Sequence, residues 1–201
     1  IPMDEYVAYQ ELVVMSDAVW HKAKEASDFE MFRPYLEKIF ETNKRFAQYI
    51  APDKDPYDHL LSDYEEGLTK EILDAFFQKL RDGIVPLLRA VSEKEQVDDS
   101  IRFGNFPAEK QEALSYYLME LIGLDLDHVG LSTTEHPFTT SLGSHHDERI
   151  TTHYHEDDFV SSMYSVIHEG GHALYDTGSA DDLAYTVLDG GVSMGLHERR
   201  S

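Results

Sequence analysis

The spacing of apolar residues predicts helices over most of the first 125 residues. In four stretches apolar side chains recur every three or four positions, which places them on one face of a helix. These stretches are residues 6–25, 29–50, 68–94 and 107–123. Thr69 is a candidate cap for the third helix, whereas Gly83 and Pro86 are expected to bend or divide it. A shorter helical turn is predicted over residues 59–64.

The pattern changes near residue 125. Two β-prone runs, 129–134 and 149–154, are separated by turn residues and predict a small hairpin or edge sheet. Helical spacing then returns over 159–176, where Asp157 and Asp158 are placed to cap the helix. The expected fold is therefore mainly α, with antiparallel helices and a small β-hairpin beside this last helix.

The predicted organisation is one continuous domain with two regions. Residues 1–125 form a helical region, and residues 126–201 form a region that carries the short strands and the candidate chemistry.

Composition narrows the class of protein. Hydrophobic residues make up 41% of the 201 positions, which indicates a folded globular chain. The net charge of −22 and the absence of a basic stripe argue against a nucleic-acid partner. The sequence has no apolar run long enough for a membrane span. It also has no cysteine, which fits a cytoplasmic protein.

The helix predicted over 159–176 contains the sequence HEGGH. Residues four apart lie on one helical face, so His168 and His172 could bind one ion. Glu169 would then accept a proton from water. Gly170 and Gly171 are poor helix formers and indicate that something, such as a substrate strand, passes close to the backbone. The alternative is a chance surface pair, because the chain has eleven histidines.

A third ligand favours the metal site over a chance pair. Zinc sites that hydrolyse bonds use three protein ligands and leave one position for water. Glu198, expected on the next helix, completes a set of two histidines and one glutamate.

Two further features leave alternatives open. Arg149 could grip a carboxylate through two hydrogen bonds, or it could pair with Asp147, Glu148 or Asp157. Six other histidines lie close together in the sequence, between residues 128 and 155. They could form a second metal site, or they could be loop residues facing a polar cleft, where His136 or His145 would touch substrate. These histidines are His128, His136, His145, His146, His153 and His155.

Four motifs in order resemble the carboxypeptidase Taq family of metallocarboxypeptidases. The motifs are HPF at 136–138, DERIT at 147–151, HEGGHALYD at 168–176 and His197-Glu198. The family pattern is HPF, DxRxT, HExGHALYE and HES-Q, and the resemblance covers the whole chain. This sequence departs from the family pattern after Glu198, where Arg199 and Arg200 stand in place of Ser and Gln.

The resemblance implies a neurolysin-like zincin fold, a homodimer and metal-dependent release of C-terminal amino acids from peptides. The ion would be Zn²⁺, with Co²⁺ or another divalent metal as alternatives. His168, His172 and Glu198 would be the metal ligands and Glu169 the general base. His136, Asp147 and Arg149 would shape the site and help to bind the substrate.

Family members are far longer, so the chain resembles an internal fragment of such a protein. Three rival functions remain. They are a related oligoendopeptidase, an inactive truncated fragment that binds metal or peptide, and a histidine-rich metal-storage protein.

Overall fold

A computed structural model describes residues 1–189, 191 and 193–200, with only the backbone of Arg200. Within these residues the chain forms seven α-helices and three β-strands. The helices are α1 (Met3–Ala26), α2 (Phe29–Ile50), α3 (Pro56–Ser62), α4 (Lys70–Ser92), α5 (Ala108–Leu121), α6 (Phe159–Asp176) and α7 (Met194–Arg200). The strands are β1 (Val129–Thr133), β2 (Thr139–Ser141) and β3 (Glu148–Thr152). The mainly α fold with a small sheet is confirmed.

The third predicted helix is intact. Thr69 accepts a hydrogen bond from the amide of Ile72, as expected of a cap. α4 continues through Gly83 and Pro86, so the expected division of this helix is wrong. A proline removes a single backbone hydrogen bond, and the bonds on either side of Pro86 are sufficient to continue the helix. Among the described helices, none is long and apolar enough to cross a membrane.

The chain divides into two compact units, and the first comprises Ile1–Gly83. Ser27, with a positive φ of 52°, ends α1, and the carboxylate of Asp28 then caps the first turn of α2. The carboxylate of Glu5 near the start of α1 accepts hydrogen bonds from Arg45 at 2.7 Å and Tyr49 at 2.8 Å near the end of α2. The two helices therefore pack antiparallel.

The second unit, Ile84–Ser201, contains the sheet. Its strand order is β1-β3-β2, with β1 parallel and β2 antiparallel to β3. The hairpin therefore consists of β2 and β3, whereas the two runs predicted to be strands pair in parallel. β2 was missed because its three residues are flanked by turn residues and show no apolar alternation. The change of composition near residue 125 falls inside this unit, between α5 and β1.

The core of the second unit lies between α5, the sheet and α6. Its buried side chains come from all three layers. They are Leu118, Met119, Leu124, Val129, Ile150, Val166 and Ala173. Asp158 begins α6 by accepting a hydrogen bond from the amide of Val160, as the sequence predicts. Its carboxylate also accepts a 3.1 Å hydrogen bond from Arg102, which holds the pKa of Asp158 below its usual value.

Gly170 explains how closely α6 approaches its neighbours. A Cβ at this position would lie 2.5 Å from Cδ1 of Ile122 and 3.2 Å from Cδ1 of Leu124. The close approach at Gly170 is therefore made by the protein's own core, at the end of α5, and the expectation of a substrate strand at this position is wrong. Gly170 lets α6 pack tightly against the residues that end α5.

Candidate metal centre

α6 places His168 and His172 one turn apart on the same face. Their Nε2 atoms are 3.3 Å apart. Two nitrogen ligands about 2.0–2.1 Å from a tetrahedral zinc ion are themselves separated by about 3.3 Å. The two imidazoles therefore already have the spacing that a shared ion requires.

Glu198 joins this pair from α7. Ligand atoms of His168, His172 and Glu198 all lie within 4.8 Å of one another. His172 is buried, whereas His168 and Glu198 are exposed, so water can reach the side of the cluster opposite the core. The structure thus brings together the three residues predicted as metal ligands.

The environment of His172 suits a neutral metal ligand. Burial, reinforced by the charge of nearby His197, lowers the pKa of His172. The imidazole therefore remains neutral to lower pH than an exposed histidine, with a lone pair available for a cation. Two histidines and one carboxylate also form the donor set of hydrolytic zinc sites. The residues present fit a divalent metal.

Glu169 lies next to these residues and is buried, with 6% of its surface exposed. The Thr139 hydroxyl is 2.6 Å from Oε2 of Glu169 and 3.0 Å from its backbone carbonyl oxygen. β2 therefore holds the carboxylate that the sequence predicts as general base. Thr139 was missed as a site residue, although it directly follows the HPF motif at 136–138.

His136 lies at the same site. A cleft of about 570 Å³ runs beside α6 and opens to solvent. The described residues that line it are His136, Pro137, Tyr164, Ser165, Ile167, His168 and Glu169. A peptide entering this cleft would meet the candidate base and one metal ligand, so His136 is placed where it could touch substrate.

Asp147 and Arg149 are not among the described residues that line this cleft. Nη2 of Arg149 is 2.6 Å from Oδ1 of Asp147, which is one of the ion pairs that the sequence left open. Alternation along β3 directs Arg149 to the face of the sheet opposite Glu148 and Ile150. Ile150 packs in the core with α6.

His197 is a further residue of the site whose role the sequence did not reveal. Its ring centroid lies 4.3 Å from that of His172 and 5.0 Å from that of Tyr175. Its Nε2 is 3.6 Å from Oδ2 of Asp176, whose pKa is raised by burial. His197 therefore packs α7, the helix that carries Glu198, against α6. The sequence feature that could have pointed to His197 is its position directly before Glu198, the candidate third ligand.

The remaining histidines fall into separate groups. Nδ1 of His153 is 2.9 Å from the carbonyl oxygen of Thr134, and its ring lies 4.5 Å from that of His155. His145 is buried and does not face the cleft described above. Its imidazole contacts Asp189 and Asp181.

The sequence matches the model of the carboxypeptidase Taq (M32) metallopeptidases over residues 1–201. It is 42% identical to carboxypeptidase 1 of Bacillus subtilis (strain 168), covering 100% of this chain and 40% of that protein. It is 35% identical to thermostable carboxypeptidase 1 of Pyrococcus furiosus, covering 95% of this chain and 39% of that protein. The chain therefore spans about two fifths of the length of these relatives.

Solved structures agree with the sequence comparison. The crystal structure of BsuCP has a TM-score of 0.94 at 41% identity, and the match covers 100% of this chain and 40% of that one. The M32 carboxypeptidase from Deinococcus radiodurans R1 has a TM-score of 0.85 at 36% identity. This match also covers 100% of this chain and 40% of that one. The resemblance drawn from the four motifs is confirmed: this chain belongs to the carboxypeptidase Taq (M32) family of metallopeptidases.

Proposed function

We propose that this chain carries the catalytic centre of a zinc-dependent carboxypeptidase that releases C-terminal amino acids from peptides. The observation that supports the proposal best is the convergence of His168, His172 and Glu198, with the carboxylate of Glu169 directly beside them. Co²⁺ or another divalent ion could occupy the same donor set. A cytoplasmic location and a homodimeric whole protein are part of the proposal. The location rests on the absence of cysteine, and the homodimer rests on the family resemblance.

The reaction assigns distinct tasks to the metal and to Glu169. A bound divalent ion lowers the pKa of water and polarises a carbonyl group. Glu169 accepts a proton from the attacking water as the new carbon–oxygen bond forms. It then passes that proton to the departing amine as the carbon–nitrogen bond breaks. The products are a carboxylate and a free amino acid.

Thr139 prepares Glu169 for this task. Its hydroxyl can donate to Oε2 of Glu169 at 2.6 Å, which leaves Oε1 for proton exchange with water. A carboxylate that is already fixed by a hydrogen bond to one oxygen loses less conformational entropy when the substrate binds. The cleft beside His136 provides the approach for the peptide.

Substrate recognition is assigned to His136, Asp147 and Arg149. His136 is supported by its position in the cleft beside His168 and Glu169. Asp147 and Arg149 are supported by their ion pair, in which the carboxylate fixes the guanidinium, and by the family motif that contains them. Release of single C-terminal residues requires a cation for the free carboxylate of the peptide. Arg149 is the candidate that the family motif provides, although it does not line the cleft beside α6 in this structure.

The Glu169→Gln variant tests the mechanism. Glutamine preserves the shape of the side chain but cannot accept the proton, so turnover of an N-blocked dipeptide should fall at least a hundredfold. Bound zinc per chain should not change. A matched control is Glu120→Gln, at an exposed position on α5. Retained turnover in the Glu169→Gln variant would reject Glu169 as the base.

A second candidate is a fragment that binds metal or peptide without turnover. It is favoured by the coverage of only about two fifths of the relatives' length. Assaying the 201-residue chain beside a longer polypeptide that contains it separates the two cases. Activity of the longer polypeptide alone would assign catalysis to the whole protein. Release of internal peptides instead of single C-terminal residues would identify a related oligoendopeptidase.

A further inference from the structure

A second group of ligand-type side chains lies outside the candidate catalytic centre. It joins the loop before β3 to the segment that follows α6. Nε2 of His146 is 3.1 Å from Oδ1 of Asp181, and Nε2 of His145 is 3.4 Å from the same oxygen. Two imidazole nitrogens thus converge on one carboxylate oxygen.

These separations have the size expected between ligands of a single ion. Donor atoms around a tetrahedral zinc ion are about 3.3 Å apart. Ligand atoms of His145, His146 and Asp181 all lie within 4.8 Å of one another. The spacing of 3.1 and 3.4 Å therefore matches that between His168 and His172 in the first centre.

His145 carries a second feature of metal-binding histidines. Its side chain is 2% exposed, and its Nδ1 lies 2.8 Å from Oδ1 of Asp189, which is itself largely buried. A carboxylate that accepts from one imidazole nitrogen fixes the ring and leaves the other nitrogen for a cation. Asp189 in this way directs Nε2 of His145 towards Asp181 and His146.

We propose that His145, His146 and Asp181 form a second divalent-cation site, in which Asp189 orients His145. Two imidazoles and one carboxylate favour Zn²⁺ or Co²⁺ over Mg²⁺ or Ca²⁺, which prefer all-oxygen ligands. The net charge of −22 also favours binding of cations. The site stands apart from the catalytic proposal and does not depend on it.

The position of the site gives it a structural role. It links residues 145–146, which precede β3, to Asp181 and Asp189, which lie between α6 and α7. An ion bound here cross-links two segments that are more than 30 residues apart. The second segment leads to α7, which carries Glu198. The second site therefore supports the position of the third ligand of the first centre.

Equilibrium dialysis against Zn²⁺ tests the proposal in the complete chain. The unmodified chain should bind two ions, and the double variant His168→Ala/His172→Ala should retain one. Adding Asp181→Ala and His146→Ala should remove this remaining ion. His155→Ala, an exposed position outside the cluster, is the matched control and should retain it. Asp189→Asn should weaken the second site by about ten- to a hundredfold.

The chosen positions keep the test informative. Asp181 is 85% exposed and His146 is 50% exposed, so replacing them opens no cavity in the core. If the double variant at the first centre does not fold by circular dichroism, Asp181→Ala alone should lower binding from two ions to one. A second ion that survives Asp181→Ala would be bound elsewhere and would overturn the proposed ligand set. Absence of a second ion from the unmodified chain would leave a hydrogen-bonded histidine–aspartate network only. Because the readout is ions per chain, failure of catalysis leaves the result unaffected.

Discussion

The hydroxyl of Thr139 lies 2.6 Å from Oε2 of Glu169, so the short strand β2 holds the side chain of the candidate base. The two residues are 30 positions apart and belong to different layers of the second unit. The contact fixes the carboxylate relative to the sheet as well as to its own helix.

Thr139→Val should remove this hydrogen bond while preserving the volume of the side chain. A more mobile Glu169 would reach its reactive position less often, and we expect kcat to fall about tenfold, or about 1.4 kcal/mol in the barrier. KM and bound zinc should stay unchanged. The measurement is steady-state hydrolysis of a blocked dipeptide by the longest active polypeptide that contains this chain.

Thr140→Val is the matched control for this experiment. Thr140 is exposed and follows Thr139 in β2, so its side chain points to the other face of the sheet. A similar loss of kcat in both variants would show that β2 itself, and not the hydroxyl of Thr139, supports activity.

Glu198→Ala should abolish tight zinc binding at the first centre. The variant leaves two imidazoles, and structural and catalytic zinc sites use at least three protein ligands. Metal content after dialysis should fall by one ion per chain, with little change in the circular dichroism of the metal-free protein. Glu156→Ala, an exposed loop position, is the control. An unchanged metal content in Glu198→Ala would remove this residue from the ligand set.

Glu148→Gln should stabilise the metal-free protein near neutral pH. Burial raises the pKa of Glu148, even though a hydrogen bond from Ser141 partly opposes the effect. A raised pKa means that the folded state holds the proton more tightly than the unfolded state. The stability that this proton gives is complete below the usual value of 4.5 and is lost as pH rises through the folded-state pKa.

Urea unfolding of both proteins across this pH range provides the measurement. The unmodified protein should lose stability relative to Glu148→Gln as pH rises, and the difference should shrink below the usual glutamate pKa. Glu135→Gln, at an exposed position, is the matched control. A difference that does not vary with pH would mean that protonation of Glu148 is not its cause.

Gln111→Leu should destabilise the second unit. The buried amide of Gln111 donates to the carbonyl oxygens of Phe106 and His155 and accepts from Ser162. Leucine fills the space but leaves these groups without their partner, and we expect a loss of about 2–3 kcal/mol in unfolding free energy. Gln78→Leu on the exposed surface of α4 is the control. A loss below 0.5 kcal/mol, on the order of surface substitutions, would contradict this role.

The sequence was sufficient for features that depend on local periodicity. α2 was predicted at its observed bounds because its apolar residues recur at helical spacing across residues 29–50. His168, Glu169 and His172 were identifiable because helical geometry alone places them together. Glu198 was found through the chemical need for a third ligand, although a long segment separates it from α6.

Contacts between distant segments could not be predicted in the same way. The parallel pairing of β1 and β3 depends on how the chain crosses over, and β2 is too short to show a period. The contact of Thr139 with Glu169 depends on this pairing. The buried His145 has Asp189 as its partner, 44 positions further along, and no local pattern marks this pairing.

The division of the proposed metal ligands between α6 and α7 has a consequence for the rate of metal exchange. His168 and His172 are prearranged on one long helix and can capture an ion in a single step. Glu198 stands on α7, a separate helix whose His197 packs against His172 and Tyr175 of α6. Exchange of an ion held by these three residues would therefore be coupled to movement of α7 relative to α6, so the contact between His197 and His172 would bear on the lifetime of the bound metal.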